Sequence, residues 1–558
     1  VGRFDAPLTA HAISLALGFG ALLVIDRHQW FAGDEWDILT RFDLSHHPLR
    51  LLIPHNEHLS LIPFLIFKGL FAVVGLRAFW PYVAVLALFH VATAHVLWRL
   101  LRRNSVEPWL AVGLTSVFLF LGAGSFNLLI PWQLSFVGSL AFGLASLEVI
   151  DSDRPLSPAR LAAVWALCTC SILSSGLGPA FAVTAAFYAW LRHGRRSAIL
   201  VSAVPLALYA GWFLVVGRQH VTALGMVGKT ALLQVPDFVW IGLTSALEHG
   251  SGLKGAGATL LLALGVFLVR QRVWQEPSTR LAAALALGAV IFFAAIAPGR
   301  LLFGPEYASQ SRYIYVATGM LLVPVGLALS AVVRRGWAPV TLLVLILAAM
   351  TARGAYELKT AADQRAAVIV DEKARILAAG RLLADHAPIV APDGAIVQAD
   401  SLTVGALRHL VAHDALPLQD APGDNDANAL DARVELQTRL NASEAATPAG
   451  AATTVRAVGI STEAEHEGCV DVASVGDASR IWIDTHGPSS IVLTARQGGM
   501  LRVRLESSAE GRVVSQPADT SLAPGRRYEL VSDAPGTVLV LSLPPGLNNI
   551  CGAGLRPS

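Results

Sequence analysis

Long apolar runs, each closed by a short polar stretch, recur along the chain from Pro7 to about Met350, and beyond that point the repetition stops. A helix needs about 20 residues to cross roughly 30 Å of hydrocarbon. The runs predict spans at 8–26, 80–100, 108–123, 134–150, 160–175, 178–192, 198–216, 257–270, 280–297, 313–332 and 338–353. One more run, 59–76, is apolar enough to cross. Counting it would put Arg99, Arg102 and Arg103 on the opposite side from Arg192, Arg195, Arg196, Arg270, Arg272, Arg334 and Arg335. Short loops rich in arginine face the cytoplasm. We therefore expect 59–76 to lie in the interface with Lys68 snorkelling, eleven spans, and an N-terminus inside. The first run has no small-x-small site after it and ends at Asp26-Arg27-His28, so it is expected to be a retained span rather than a signal peptide. Loops 27–79, 123–133, 217–256 and 298–312 and the whole tail are then outside.

The tail changes period. Residues 355–386 keep a helical repeat and predict a stalk; a mixed region rich in Asp and Ala follows around 418–431. From about 455 the alternation is strand-like: Arg480-Ile-Trp-Ile-Asp484, Ser490-Ile-Val-Leu-Thr494, Leu501-Arg-Val-Arg-Leu-Glu506, Tyr528-Glu-Leu-Val531 and Thr537-Val-Leu-Val-Leu-Ser542, divided by Gly, Pro and Asp. Such spacing predicts a β-sandwich. The chain thus divides into a multi-span module (1–353), a stalk and mixed region (354–454) and an exported sandwich (455–558). Cys469 and Cys551 bracket the strands and are the only cysteines of the exported part, so a disulfide is expected between them; Cys168 and Cys170 lie in a span.

Composition narrows the class. At 558 residues, 54% hydrophobic and 15% charged, with a mean hydropathy of +0.55, the chain is too apolar for an ordinary soluble enzyme. The fold class expected is a polytopic α-helical membrane protein with a C-terminal exported α+β or β-sandwich domain. The spans carry net positive charge and the tail net negative charge, which gives no support to a nucleic-acid partner. There is no P-loop, no dinucleotide glycine fingerprint and no Gly-x-Ser-x-Gly elbow, so nothing implies nucleotide chemistry.

Chemistry concentrates in the outer loops. Asp34, Glu35 and Asp37 surround Trp36, just after Trp30 and Phe31. A carboxylate there can deprotonate an acceptor hydroxyl or hold a divalent cation on phosphate oxygens; acids after Gly33 also suit a helix start. His55-Asn56-Glu57-His58 follows, with His46 and His47 upstream. Two histidines spaced i, i+3 on a helical turn could ligate a metal, although the spacing is not H-E-x-x-H; they could equally contact a sugar or phosphate, or form the polar start of the next helix. Asn127, Trp132 and Gln133 combine amide and aromatic groups that suit sugar hydroxyls and ring faces, and tryptophan is also an ordinary interfacial residue. Last, 298–315 brings Arg300, Glu306, Arg312 and Tyr313 to the outer face. An outward arginine at the membrane surface needs an anion: a lipid phosphate, matched by the guanidinium fork, or Glu306.

With Asp34-Glu35 opening a large first outer loop, an interfacial segment ending Leu70-Phe-Ala-Val-Val-Gly75, a following span ending Trp98-Arg-Leu-Leu-Arg-Arg103 and Arg312 before a late span, the chain resembles the GT-C superfamily of membrane glycosyltransferases. The resemblance implies a polyprenyl-phosphate sugar donor, a glycan or lipid acceptor, Asp34 or Glu35 as base or metal ligand, and Arg312, with Arg300, on the lipid phosphate. It implies no nucleotide cofactor and leaves a divalent ion open. The Lys-Pro-Pro type motif of some branches is absent, and His55-Asn-Glu-His58 stands in its place. The exported sandwich resembles the carbohydrate-binding tails of actinobacterial cell-wall arabinosyltransferases. The expected location is the plasma membrane. Two rivals remain at this stage, a flippase of a lipid-linked saccharide and a non-catalytic envelope assembly protein.

Overall fold

The computed structural model describes residues 5–41, 48–151, 155–220, 231–333, 337–389, 395–396, 399–424, 426–442, 449–458, 460–466, 469–474, 480–495, 499–507, 518–532, 537–543 and 546–552. His46 and His47 lie outside them. The chain forms two compact units: one of 1–29, 42–74 and 78–366, the other of 30–41, 75–77 and 367–558.

The first unit is helical. Its long elements are α1 (Ala6–Ile25), α3 (Leu61–Val74), α4 (Trp80–Arg103), α5 (Pro108–Leu119), α6 (Ser125–Leu129), α7 (Leu134–Ile150), α8 (Pro158–Ser174), α9 (Gly178–His193), α10 (Arg195–Trp212), α11 (Val235–Ser251), α12 (Gly257–Arg270), α13 (Arg280–Arg300) and α14 (Ser311–Val333). α2 (Asp34–Arg41) belongs to the second unit, and α15 (Trp337–Ala384) begins in the first and ends in the second. The expected last span and stalk are therefore one continuous helix. Local sequence sets many of the ends. Asp5, Glu107 and Ser157 cap α1, α5 and α8 by accepting backbone N–H groups, each with a proline at the first or second helical position, where no N–H is needed. α9 stops at Gly194, whose φ of +89° suits glycine alone.

Every expected span is occupied by a helix, but not all are long enough to cross. Seven described helices have the length and apolarity, or eight if the bent pair Pro108–Leu119 and Gly122–Leu129 is one span. α8, α9 and α12 have 17, 16 and 14 residues. α3 has 14 residues, about 21 Å at 1.5 Å per residue, short of the hydrocarbon core.

The unit's core runs through Leu97, Phe118, Leu140, Phe181, Phe292 and Tyr315, all buried. Polar ties cross it. His90 bonds the Tyr315 hydroxyl through Nδ1 (2.8 Å) and the Leu119 carbonyl through Nε2 (3.2 Å), joining α4, α14 and α5. Such interhelical bonds contribute about 0.6 kcal/mol each.

Charges separate to the two ends of this unit. At one end, where α4, α7 and α9 finish, Glu148 pairs with Arg99 (2.6 Å) and Arg103 (3.3 Å). Asp151 accepts from Tyr188 (2.6 Å) and lies 3.9 Å from Arg192, which also donates to the Pro277 carbonyl. The opposite end, where α7 and α14 start and α8 and α13 finish, holds the site described below.

The second unit contains a short hairpin of β1 (Ala395–Ile396) and β2 (Ala399–Thr403), then α16 (Val404–Ala412) and α17 (Ala427–Gln437), and a larger antiparallel sheet. The strands are β3 (Thr438–Ala442), β4 (Ala449–Val458), β5 (Ile460–His466), β6 (Cys469–Ser474), β7 (Arg480–Ala495), β8 (Gly499–Ser507), β9 (Ala518–Leu522), β10 (Arg527–Ser532), β11 (Thr537–Ser542) and β12 (Gly546–Gly552). β7 organises them. Its first part, Arg480–Asp484, pairs with β11 and its second, Ser489–Ala495, with β10 and β12, while β4 runs beside the first part and reaches Ser489 and Ser490 of the second. The sheet so divides at β7, and apolar residues from both parts, such as Ile481, Leu493, Leu505 and Ile550, form one core. Cys469 and Cys551 are opposite each other on β6 and β12 and form a disulfide.

Candidate functional site

His55-Asn56-Glu57-His58 is a two-residue hairpin turn, not the helical turn expected. His55 and His58 exchange both backbone bonds, N–H to C=O, at 3.0 and 2.9 Å. Asn56 and Glu57 have φ of +45° and +72°. Positive φ at both central positions defines a type I′ turn, for which Asn-Gly is the favoured pair. Asparagine fits this geometry; glutamate does not. The strained position holds Glu57 where its Oε2 accepts from Arg300 Nη1 at 3.3 Å, the kind of local strain that collects at functional sites.

Arg300, at the end of α13, is the hub. Its Nε donates to the Tyr313 hydroxyl (2.9 Å) and its Nη2 to His58 Nε2 (3.4 Å), in addition to Glu57. A guanidinium cannot accept, so His58 Nε2 must, and the ring carries its proton on Nδ1. Desolvation first, then the positive charges of Arg300 and Arg312, lower the His58 pKa to about 3 although part of the side chain reaches the surface. His58 is a neutral acceptor. Gly176, after α8, makes room for it, because a Cβ there would lie 2.6 Å from Nδ1. With Nε2 occupied by Arg300, the pair of histidines is not arranged as metal ligands, and no group of three or more His, Cys, Asp or Glu converges among the described residues.

Arg312 occupies the first turn of α14, where the helix dipole is positive and a cation is unfavourable. Its Nη2 donates to the Tyr307 hydroxyl, and its guanidinium lies over the rings of Tyr313 (5.3 Å), Tyr307 (5.5 Å) and Phe126 (5.8 Å). Its Nε is buried without a partner among the described residues. Glu306, weighed as its counterion, is exposed. Among the described residues Arg312 has no carboxylate, and the partner acid of the pair, Glu57, bonds Arg300. The cluster has a net positive charge, aromatic walls and free donors, and its chemistry fits an anion with oxygen acceptors.

The amide and aromatic residues lie deeper than expected. Trp132 is buried, with His55, Phe64 and Phe67 edge-on at 5.4, 5.3 and 5.6 Å, so it is packing and not an open ring face. Gln133 and Asn127 are also buried. Sequence reasoning missed Tyr307, Phe126, Phe136 and Gly176. Tyr307 was visible as an aromatic between two arginines; Phe136, which touches His58 (5.7 Å) and Tyr313 (6.2 Å), gave no local signal.

The acidic cluster is in the second unit. Asp34 is exposed at the start of α2, whereas Glu35 and Asp37 are buried. Glu35 Oε2 accepts from the Ala32 N–H (3.1 Å), a capping bond, and the Trp36 ring packs on Trp30 and Phe31. The Trp30 indole donates to the Leu76 carbonyl and lies under Lys373, 5.7 Å away. The capping role is thus filled by Glu35, and Asp34 is the carboxylate presented to solvent.

No protein-family model and no curated protein matches this chain. Among solved structures it is similar to the arabinosyltransferase EmbB from Mycobacterium smegmatis, with 12% identity and a TM-score of 0.36 over 99% of this chain and 65% of that one. This chain spans less than two thirds of that neighbour's length, and the similarity is too distant to define an activity.

Proposed function

We propose that the protein is a plasma-membrane glycosyltransferase that takes a sugar from a polyprenyl-phosphate donor and passes it to a glycan or lipid acceptor on the outer face. The carrying observation is the Arg300–Arg312 cluster, in which two guanidinium groups, one carboxylate and a neutral histidine leave a net positive charge between aromatic walls. A lipid phosphate fits it by charge and by donor geometry. The phosphate is also the leaving group, so binding it more tightly as negative charge develops lowers the barrier. No nucleotide is required.

As the base we take Asp34 from the resemblance: it is the exposed carboxylate of the α2 turn and has the chemistry to deprotonate an acceptor hydroxyl. Glu35 supports it by capping the turn. The disulfide of the β unit supports placing that unit in an oxidising compartment, outside the cell.

The test is transfer from polyprenyl-phosphate sugars by purified protein in detergent or nanodiscs. Asp34→Asn should lower transfer by about 100-fold or more while donor binding persists. Full activity of that variant removes Asp34 from the mechanism. A flippase is favoured by one feature, the imidazole pair His11 and His95 (3.3 Å) stacked on Trp98 within the spans, since ionisable groups there often mark transport paths. Movement of a fluorescent polyprenyl-phosphate sugar across vesicles, without product, would put that reading first.

A further inference from the structure

Three segments press on the arginine cluster, and beside each contacting residue is a buried polar atom with no hydrogen-bond partner among the described residues. Phe126 lies against Arg312, and the next residue, Asn127, is fully buried with both Oδ1 and Nδ2 unmatched. Phe136 touches His58 and Tyr313, and Gln133, one helical turn earlier, buries an unmatched Oε1. Gly176 abuts His58, and Ser175 beside it buries an unmatched Oγ. Arg312 Nε adds one more donor.

Each such group left dry costs about 1–3 kcal/mol, so the residues flanking these contacts are poorly satisfied in the unliganded protein. Their chemistry is mixed: Asn127 Oδ1 and Gln133 Oε1 accept, Asn127 Nδ2 donates, and Ser175 Oγ does both. A phosphate uses donors only, and a prenyl chain uses neither. Hydroxyl groups donate and accept, and a sugar offers several at short spacing.

We propose that Asn127, Gln133 and Ser175 form a hydroxyl-reading subsite that selects the glycosyl group carried by the phosphate on Arg300 and Arg312. This rests on the lipid-phosphate reading above and gives it a specificity device. A ligand lacking the hydroxyls leaves the buried polar atoms unmatched and is rejected.

The experiment compares two probes on the full-length protein in detergent: a short-chain polyprenyl phosphate, and the same lipid bearing a pentose or a hexose. In Asn127→Leu, Gln133→Leu and Ser175→Ala, affinity for at least one sugar-bearing probe should fall about tenfold or more, the value of one such bond. Affinity for the bare lipid phosphate should stay within about twofold of the parent. The unliganded melting temperature should hold or rise, because an unmatched polar atom has been removed, whereas a structural role would lower it. Ser175→Ala, which deletes a single oxygen, carries the same readouts if a leucine variant fails to fold. Equal losses for both probes, or a lower melting temperature with no selective loss, overturn the subsite. If instead the parent does not bind the bare lipid phosphate, or Arg312→Ala leaves that binding unchanged, the lipid-phosphate reading itself fails.

Discussion

The two ends of the helical unit treat arginine differently. At the end where α4, α7 and α9 finish, Arg99 and Arg103 close on Glu148, while Arg192 meets Asp151 and the Pro277 carbonyl. At the other, Arg300 pairs with Glu57 and donates to a neutral histidine, while Arg312 has no carboxylate among the described residues and leans on aromatic rings. At the first end each of these three arginines reaches a carboxylate within the bundle, Glu148 serving two and Asp151 one, and in that sense the end is compensated. The second is incomplete. An arginine with a buried, unmatched Nε and no carboxylate has room for an anion from outside the protein, and this difference between arginine with and without an acid partner is what singles out a site.

The sharpest break would be in sidedness, where the expected effect is all or none. Ser105 and Glu306 are exposed in the connections at the two ends. In intact cells Glu306→Cys should react with an impermeant maleimide and Ser105→Cys only after permeabilisation. The reverse pattern would put the arginine cluster in the cytoplasm and end the outer-face reading. Next in size is binding. Arg312→Ala removes a charge-assisted contact and should weaken a polyprenyl-phosphate probe by about 10–100-fold. Arg103→Ala, at the compensated end, should leave that affinity unchanged, and an equal loss in both variants would mean that net charge alone attracts the lipid.

How much of this was legible follows the range of each signal. The grouping of Arg99, Arg103 and Arg192 at one end could be read because topogenic charge is a property of single loops, and the strands could be read from period two. β7 was read as two strands since Thr485-His-Gly-Pro-Ser489 carries turn residues, yet the backbone continues through them. The turn at Asn56-Glu57 was misread as helical because Glu57 stands where a I′ turn asks for glycine, and only its bond to Arg300 explains the choice. Phe136 and Gly176 reach His58 from α7 and the end of α8, contacts between distant segments that no local pattern encodes.

A smaller effect is expected at the compensated end itself. Glu148→Ala releases Arg99 and Arg103, both close to half exposed, so solvent screens much of the pairing and the loss is about 1 kcal/mol. The melting temperature should fall by a few degrees with lipid-phosphate affinity intact. A variant that keeps its stability but loses affinity would show that the two ends are coupled and that the contrast drawn between them is not local.

The finest probe of the contrast is pH, through His58. Its folded pKa of about 3 lies below the ordinary value of 6.5, so above pH 6.5 neither the folded nor the unfolded chain binds this proton. Between 6.5 and about 3 the unfolded chain takes the proton and the folded one does not, and stability must fall as pH falls through that window. Between pH 7 and 5 carboxylates change little, so the melting temperature in detergent should drop by a few degrees, with His58 as a main contributor. His58→Gln keeps an acceptor for Arg300 but does not titrate, and its melting temperature should respond less over the same range. If parent and variant fall in parallel, His58 is not the neutral acceptor between two arginines. If the slope of the parent flattens when a polyprenyl phosphate is bound, the anion has offset the positive charge that, with burial, keeps His58 unprotonated, as an arginine pair awaiting an external counterion requires.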